Sequence, residues 1–454
     1  MSAHDLEMDR MSGPRRAAGA GYHIGVFGHY GHHNMGDEAI TQAVIQNLRR
    51  RCPSLRLSGF SMNPEDTSRR YGMPAYPIRR LKPRTSEGGG DEATPGMRQP
   101  RVGGLRAYLK RFAALRLIVR AMRFAVQLPA ELWREARFLA DSYRVAREVD
   151  CFIVAGSNQF LDNYGGVWGF PYTVLKWTVL ARCAGARVAF LSVGAGPIDS
   201  LWSRIMARVS LLLADYASFR DAGSRRLLEW AGGGREWHVC PDLAQSLQLE
   251  AQAARDDGRA PTVAINPMPV YDRRIWYQAD DARYEHYVAQ LSLFASRLLR
   301  ERFPVFFFST HPSDDQVIDD VLAGIDEQLV FANGAPARKS SQTVVEVMSV
   351  FASADLVVAT RYHGAVLALR AGRPVLALCY YRKTREVLQA MQQEAYAVDV
   401  DELDHEDLWR RFELLVSRRS KEADAIRRIT EAANARLDEQ YDTVLRLVNA
   451  PVGA

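Results

Sequence analysis

The sequence predicts an α/β protein made of two Rossmann-like, doubly wound domains that face a cleft. Three observations predict it. Short apolar strands alternate with helices along the chain. The alternation starts twice, at residues 22–27 and again at 262–266. Several strands run straight into glycine-rich or charged turns that open a helix, which is how parallel sheets place ligands at their strand ends. At 454 residues the chain is also too long for one ordinary core.

The first twenty residues are polar, basic and rich in Gly and Ala, without an apolar secretory stretch, and read as a disordered tail. A first domain is expected over 21–250. It opens with the strand YHIGVF (22–27), the loop GHYGHHNMGDEAI with Gly28, Gly31 and Gly36, and a helix to about 51. A second strand lies near 55–60. Residues 64–103, rich in Pro, Gly and charge, read as a mobile insertion. The stretch 105–148 reads as a helix with the seam Leu105, Tyr108, Phe112, Leu115, Val119, Met122, Val126. Together, 64–148 form an insertion in the first domain. Regular alternation resumes with DCFIVA (150–155), a helix over 168–185, RVAFLSV (187–193) and a helix over 201–214. The short strand 216–219 runs into Arg220-Asp221-Ala222-Gly223-Ser224.

Polar residues 249–260 read as a linker, and a second domain is expected over 258–420. Its strands are TVAIN (262–266), VFFFS (305–309) and two more inside ADLVVATRYHGAVLALRAGRPVLALCYYRK (354–383). In that segment strand 356–359 hands over to Arg361-Tyr362-His363-Gly364 and a helix; Gly372-Arg373-Pro374 then leads into strand 375–378. A charged helix near 421–449 lies in a C-terminal segment, 421–454.

The net charge of +6 is local. Residues 93–130 contain eight Arg or Lys and no Asp or Glu, leaving the rest of the chain at −2. Three readings of this basic amphipathic stretch are open: a lid or extra layer on the first domain, a contact with an anionic membrane surface through 98–137, and nucleic-acid binding. The last lacks any recognised nucleic-acid fold or array of stacking aromatics, so no nucleic-acid partner is expected. Five scattered cysteines without a CxxC pair point to reduced thiols in a cytoplasmic protein. No apolar run is long enough to span a bilayer.

Arg361 and His363 place a fixed cation and a titratable group where a strand meets a helix N-terminus, a position that favours anions. This suits acid/base chemistry on an anionic substrate. Arg220 occupies the same kind of turn in the first domain. A structural salt bridge is the alternative for both arginines, and helix capping is the alternative for His363. In the loop before the first helix, Asn34 and Asp37 either cap that helix or bond the hydroxyls of a substrate. His29, His32 and His33 lack the further ligands that a closed metal site needs, so no metal is expected. Gly194 and Gly196 allow close backbone approach to a ligand or form a plain tight turn; Gly194-Ala195-Gly196-Pro197 is not a dinucleotide fingerprint. His311 ends a strand facing the presumed cleft, and Tyr362 reads as packing.

The blocks GHYGHHNMGDEAI, DCFIVAGSNQF, FLSVGAGPI, SFRDAGS, CPDLA and ATRYHGAVLALRAGRPVLALCYYRK, in that order and covering roughly residues 25–391, resemble the polysaccharide pyruvyltransferases. The sequence departs from compact members by the basic insertion, and by Gly156-Ser157-Asn158 where members often carry a run of glycines. The resemblance implies a glycosyltransferase-B-like (GT-B-like) fold and transfer of the enolpyruvyl carbons of phosphoenolpyruvate onto a sugar as a cyclic ketal. Phosphoenolpyruvate is then the donor substrate, and no cofactor is needed. Arg220, Arg361 and His363 would hold and protonate it, guanidinium forks matching its carboxylate and phosphate. The acceptor would be a saccharide of a cell-surface or exported polysaccharide, or its lipid-linked oligosaccharide precursor, approaching past Asn34, Asp37 and the loop 162–168. Tyr164 and Trp168 there are candidates to stack on a sugar ring. The expected location is cytoplasmic, with contact to the inner face of the plasma membrane. Two alternatives stay open: a nucleotide-sugar glycosyltransferase of the same fold, and a catalytically silent glycan- or lipid-binding protein.

Overall fold

The computed structural model describes residues 21–80, 113–162, 165–235, 237–248, 259–276 and 278–449, with 113–127 and 449 described by backbone alone. The expected tail 1–20, the insertion residues 81–112, nearly all of the linker and Tyr164 lie outside the described residues.

Unbroken apolar strands are buried on both faces, which is the condition of a parallel sheet layered between helices. The first half follows this rule. In chain order it consists of β1 (His23–Phe27), α1 (Met35–Arg51), β2 (Arg56–Ser61), α2 (Pro64–Tyr71), β3 (Ala75–Pro77), α3 (Ala113–Ala146), β4 (Cys151–Ala155), β5 (Asn158–Phe160), α4 (Phe170–Cys183), β6 (Arg187–Ala195), α5 (Leu201–Leu212), β7 (Tyr216–Phe219), α6 (Ala222–Leu228) and β8 (His238–Val239). The second half consists of β9 (Val263–Asn266), α7 (Asp281–Arg300), β10 (Val305–Ser309), α8 (Asp314–Ala323), α9 (Glu327–Asn333), β11 (Ala337–Ser340), α10 (Val344–Ala352), β12 (Leu356–Ala359), α11 (Tyr362–Arg370), β13 (Val375–Cys379), α12 (Arg382–Ala390), β14 (Ala397–Asp399) and α13 (His405–Asn449).

The sheet orders are β3-β2-β1-β4-β6-β7-β8, with β5 beside β6, and β11-β10-β9-β12-β13-β14. The strand pairings are parallel in both sheets. Each order reverses direction after its first strand, so a crevice opens at the carboxyl ends of the central strands. The predicted pair of doubly wound α/β domains is therefore the observed architecture.

Two boundaries differ from the sequence reading. The insertion does not start at 64 as a loop. Asn63 accepts a hydrogen bond from the Asp66 amide, Pro64 opens α2, and Gly72 closes it in the left-handed region at φ 61°. β3 then pairs with β2. The C-terminal helix starts at His405, not near 421. Between His405 and Asn449 no proline or glycine interrupts the chain. Leu408, Trp409, Phe412 and Leu415 bury its first turns against the second domain.

The rest of α13 crosses to the first domain. Leu437, Tyr441 and Val444 are buried in a core that also contains Ile40, Val44 and Leu48 of α1 and Val366 and Leu369 of α11. Gln440 donates to Ser192 (3.2 Å) and accepts from Ser218. Arg50 and Arg51 pair with Asp438 and Asp442, each at 2.8 Å. One apolar core thus spans both sheets, and α1 and α11 lie at its centre. Replacing Leu437 by Ala is expected to cost about 2–5 kcal/mol by loss of burial plus a cavity. Denaturant unfolding measures this; a loss below about 0.5 kcal/mol would mean that α13 does not close the first domain's core.

Candidate active site

Strand β12 ends at Ala359, and the chain turns through Arg361 into α11. The Arg361 guanidinium is fixed by the first turn of α8. Its Nε donates to Asp314 Oδ1 at 2.8 Å and its Nη2 to Asp314 Oδ1 at 2.5 Å and Ser313 Oγ at 2.8 Å. Asp314 is fully buried, and its other oxygen accepts from the amides of Thr310 and His311, both at 3.1 Å. A carboxylate that takes two guanidinium nitrogens on one oxygen and two backbone amides on the other holds the arginine in one place. His311 is part of the same cluster, its Nδ1 2.7 Å from Ser313 Oγ. Burial and the neighbouring Arg361 push His311 down to about 3.

Arg220 leaves β7 in the opposite domain and is buried. Its Nη2 donates to Asn158 Oδ1, its Nη1 lies 3.5 Å from Asp242 Oδ2, and its carbon centre stands 4.7 Å from the centre of the Tyr362 ring. Gly194 is explained here. A Cβ at that position would lie 2.6 Å from Arg220 Nη2 and 2.5 Å from Asn158 Oδ1, so the glycine makes room for the arginine. Asp242 joins the two halves. Its Oδ2 accepts from the Tyr362 hydroxyl at 3.2 Å and lies 3.9 Å from His363 Nε2.

His363 sits against the start of α1. A Cβ on Gly36 would fall 1.9 Å from His363 Nδ1, so only glycine lets the two helix N-termini meet. The Met35 amide donates across the junction to the Thr310 carbonyl at 3.0 Å. Asn34 is the cap of α1: its Oδ1 accepts from the Gly36 amide at 3.1 Å and its Nδ2 donates to Asp37 Oδ2 at 2.8 Å. Of the two readings of Asn34, the structure displays capping. Asp37 faces the cleft. Loss of hydration raises its carboxyl to about 6, opposed by a hydrogen bond with Ser157 and by the charges of Lys383 and Arg220.

The sequence reading gave Lys383, Asp242 and Asp314 no role. Lys383 follows β13 as Arg361 follows β12, in the first turn of α12. Its ammonium stands 5.1 Å from the centre of the Tyr362 ring. Loss of hydration, then repulsion by Arg220, lowers it to about 7, with Asp37 pulling the other way. The repeated strand-to-helix position was the signal that could have found it. The two aspartates sit in ordinary helix-capping contexts and carry no such signal.

Trp168 projects into solvent, 74% exposed and edge-on to Tyr172. Gly196 packs against Leu161 on the turn after β6, its amide donating to the Phe160 carbonyl at 2.8 Å. His29 is buried edge-on to Phe170.

The result is a recess with three cations, Arg220, Arg361 and Lys383, acting together on His363. After loss of hydration these charges hold its imidazole down at about 4, against the pull of Asp242.

Two parallel-sheet domains that face each other in this way define a GT-B-like fold. The chain belongs to the polysaccharide pyruvyl transferase family, whose model matches residues 34–381. No curated protein matches the sequence. Among solved structures it is similar to MnaA of S. aureus in complex with UDP (TM-score 0.55, 9% identity, 94% of this chain and 98% of that one). It is also similar to UDP-GlcNAc 2-epimerases of Neisseria meningitidis (TM-score 0.54, 13% identity, 93% and 99% covered) and Methanocaldococcus jannaschii (TM-score 0.52, 11% identity, 87% and 92% covered). These likenesses establish the fold.

The lowered Lys383 has a consequence for stability. Between about 7 and the ordinary lysine value, the unfolded chain carries a proton there that the folded protein lacks. Stability therefore rises with pH across that window. The raised Asp37 acts oppositely: its contribution is present at low pH and is lost as pH rises through about 6. Thermal unfolding from pH 7 to 10 should show the wild-type protein gaining stability relative to Lys383→Met. A constant difference would mean that Lys383 titrates as a surface lysine.

Proposed function

We propose that the protein transfers the enolpyruvyl carbons of phosphoenolpyruvate to a hexose of a cell-surface or exported polysaccharide, or of its lipid-linked precursor, as a cyclic pyruvate ketal. The observation that carries this reading is the convergence of Arg220, Arg361 and Lys383 on His363. Phosphoenolpyruvate presents a carboxylate and a phosphate, and two guanidinium forks and an ammonium match that charge.

The chemistry needs a proton on the methylene carbon, which leaves an oxocarbenium-like centre at the next carbon. A sugar hydroxyl adds there, the C–O bond to phosphate breaks, and a second hydroxyl closes the ring. In the free protein His363 is neutral at pH 7, since it is held at about 4. The donor's negative charges offset the cations that hold it down, so donor binding raises its affinity for a proton and prepares it as the acid. Asp37, at about 6 and mostly ionised at neutral pH, is the proposed base for the hydroxyl proton of the acceptor. Arg361 and Lys383 then stabilise the departing phosphate.

Isothermal titration with phosphoenolpyruvate tests the donor. Binding is expected for the wild-type protein, with net proton uptake seen in buffers of different ionisation heat. It should be abolished in Arg361→Ala and weakened at least about tenfold, or 1.4 kcal/mol, in Lys383→Met. Binding of nucleotide sugars without phosphoenolpyruvate would overturn the reading in favour of a glycosyltransferase.

An acceptor carried on lipid is favoured by the outer surface. No described helix is long and apolar enough to cross a membrane. The exposed face of α5 nevertheless carries Leu201, Trp202, Ile205 and Val209, with Trp230 beside it. Arg204 and Arg208 flank that face, and Arg208 donates to the Trp230 carbonyl at 3.2 Å. Apolar and indole side chains bordered by arginines suit the interface of an anionic bilayer. Within the 98–137 segment, Leu132 and Trp133 are also exposed. The protein is expected to float with vesicles of anionic phospholipid more than with phosphatidylcholine. The double variant Trp202→Ser, Ile205→Ser should lose this; equal flotation of both proteins would remove α5 from the contact.

A further inference from the structure

A second recess lies behind the cleft. It has a volume of about 560 Å³ and is walled by α1, the segment 247–248, α10, the end of α11 and the middle of α13. Two of these helices reach it from the active site. α1 begins with Asp37 in the cleft and presents Gln42 and Gln46 to the recess; α11 begins with His363 and ends there at Arg370. At 1.5 Å per residue, the recess lies roughly 10 Å behind His363 along α11.

Its chemistry is distinct. Leu247, Val344, Met348 and Ala352 form an apolar floor, while Arg370, Arg373 and Arg427 bring three guanidiniums, Arg427 paired with Asp424 one turn back on its own helix, and Glu431 is the single carboxylate of the lining. Arg370 donates its Nε and Nη2 to the Leu247 carbonyl, at 3.0 and 2.7 Å. None of the ion pairs among the described residues supplies it with a carboxylate. Thr430 is 5% exposed and its Oγ1 finds no hydrogen-bond partner among the described residues, nor does Asn434 Oδ1. A buried hydroxyl without a partner is costly, and a cation facing only a carbonyl is incompletely compensated. Both deficits are met by an anion with its own acceptors. The volume is that of a small-molecule site.

We propose that this recess binds a small organic phosphate, its phosphate on the guanidiniums and Thr430 and its carbon body over the apolar floor. Because the walls come from both domains, such a ligand fixes the seat of α11 against α1 and thereby the cleft at their other ends. This is a regulatory site separate from the substrate cleft, and its existence does not depend on pyruvyl transfer.

Thermal unfolding of the full chain with inorganic pyrophosphate, uridine diphosphate, adenosine diphosphate and glucose 1-phosphate tests it, since a ligand of the folded state raises the melting temperature. Arg361→Ala disables the cleft, and Arg427→Ala and Thr430→Val alter the recess without touching the Arg370–Leu247 bonds. At least one organic phosphate is expected to stabilise the wild-type and Arg361→Ala proteins alike, with its affinity at least about tenfold weaker in both recess variants. The proposal is overturned if no organic phosphate stabilises Arg361→Ala. It is equally overturned if the stabilisation passes unchanged through Arg427→Ala and Thr430→Val.

Discussion

The constraint on which the site rests is the cost of keeping cations away from water. Lys383 is repelled by both Arg220 and Arg361, and each cation has acidic counterweights: Asp242 and Asp221 for Arg220, Asp314 for Arg361 and Asp37 for Lys383. The arginines are always charged, so their carboxylates hold them rigidly. Lysine has the freedom to lose its proton, and burial beside two guanidiniums draws on that freedom. The unliganded site is thus two fixed charges and one adjustable one. Removing Asp314 would take from Arg361 its buried ion pair, a change far more damaging than loss of an exposed one.

The fold delivers these groups because parallel strands end on one side. β12 and β13 are neighbours, and each hands a cation to the helix that follows. β7 supplies Arg220 from the facing sheet, and the Tyr362 ring lies close to both Arg220 and Lys383. The two domains do not merely border the cleft. α1 and α11 meet end to end through Gly36, and Asp242 of the first domain bonds Tyr362 of the second. Neither domain alone contains a complete site.

Much of this was legible in the sequence because periodicity and turn chemistry act locally. The strands ending at Ala359 and Phe219 were placed from their apolar runs, and Arg361, His363 and Arg220 followed from their position after those strands. Asp242 and Asp314 were not legible: each is a helix-start aspartate, and only the tertiary fold brings it to an arginine. The room that Gly194 makes for Arg220 was likewise not legible, because it depends on a tertiary contact. The start of α13 was missed because its charged later turns hid the apolar face beginning at Leu408. The helix at 64–71 was missed because Pro and charge were read as loop signals, when Asn-Pro and acidic residues ahead of a glycine also mark a short capped helix.

The crossing of α13 bears on how the protein is made. The first domain's core includes Leu437, Tyr441 and Val444, which are synthesised only after the whole sheet of the second domain. A nascent chain therefore leaves the ribosome with α1 displayed and its apolar partners still untranslated. Domains that fold as they emerge normally bury such surface at once. Here burial waits until α13 has been made, so the emerging chain is a natural client for chaperones, and a chain cut short before Leu437 marks itself for proteolysis.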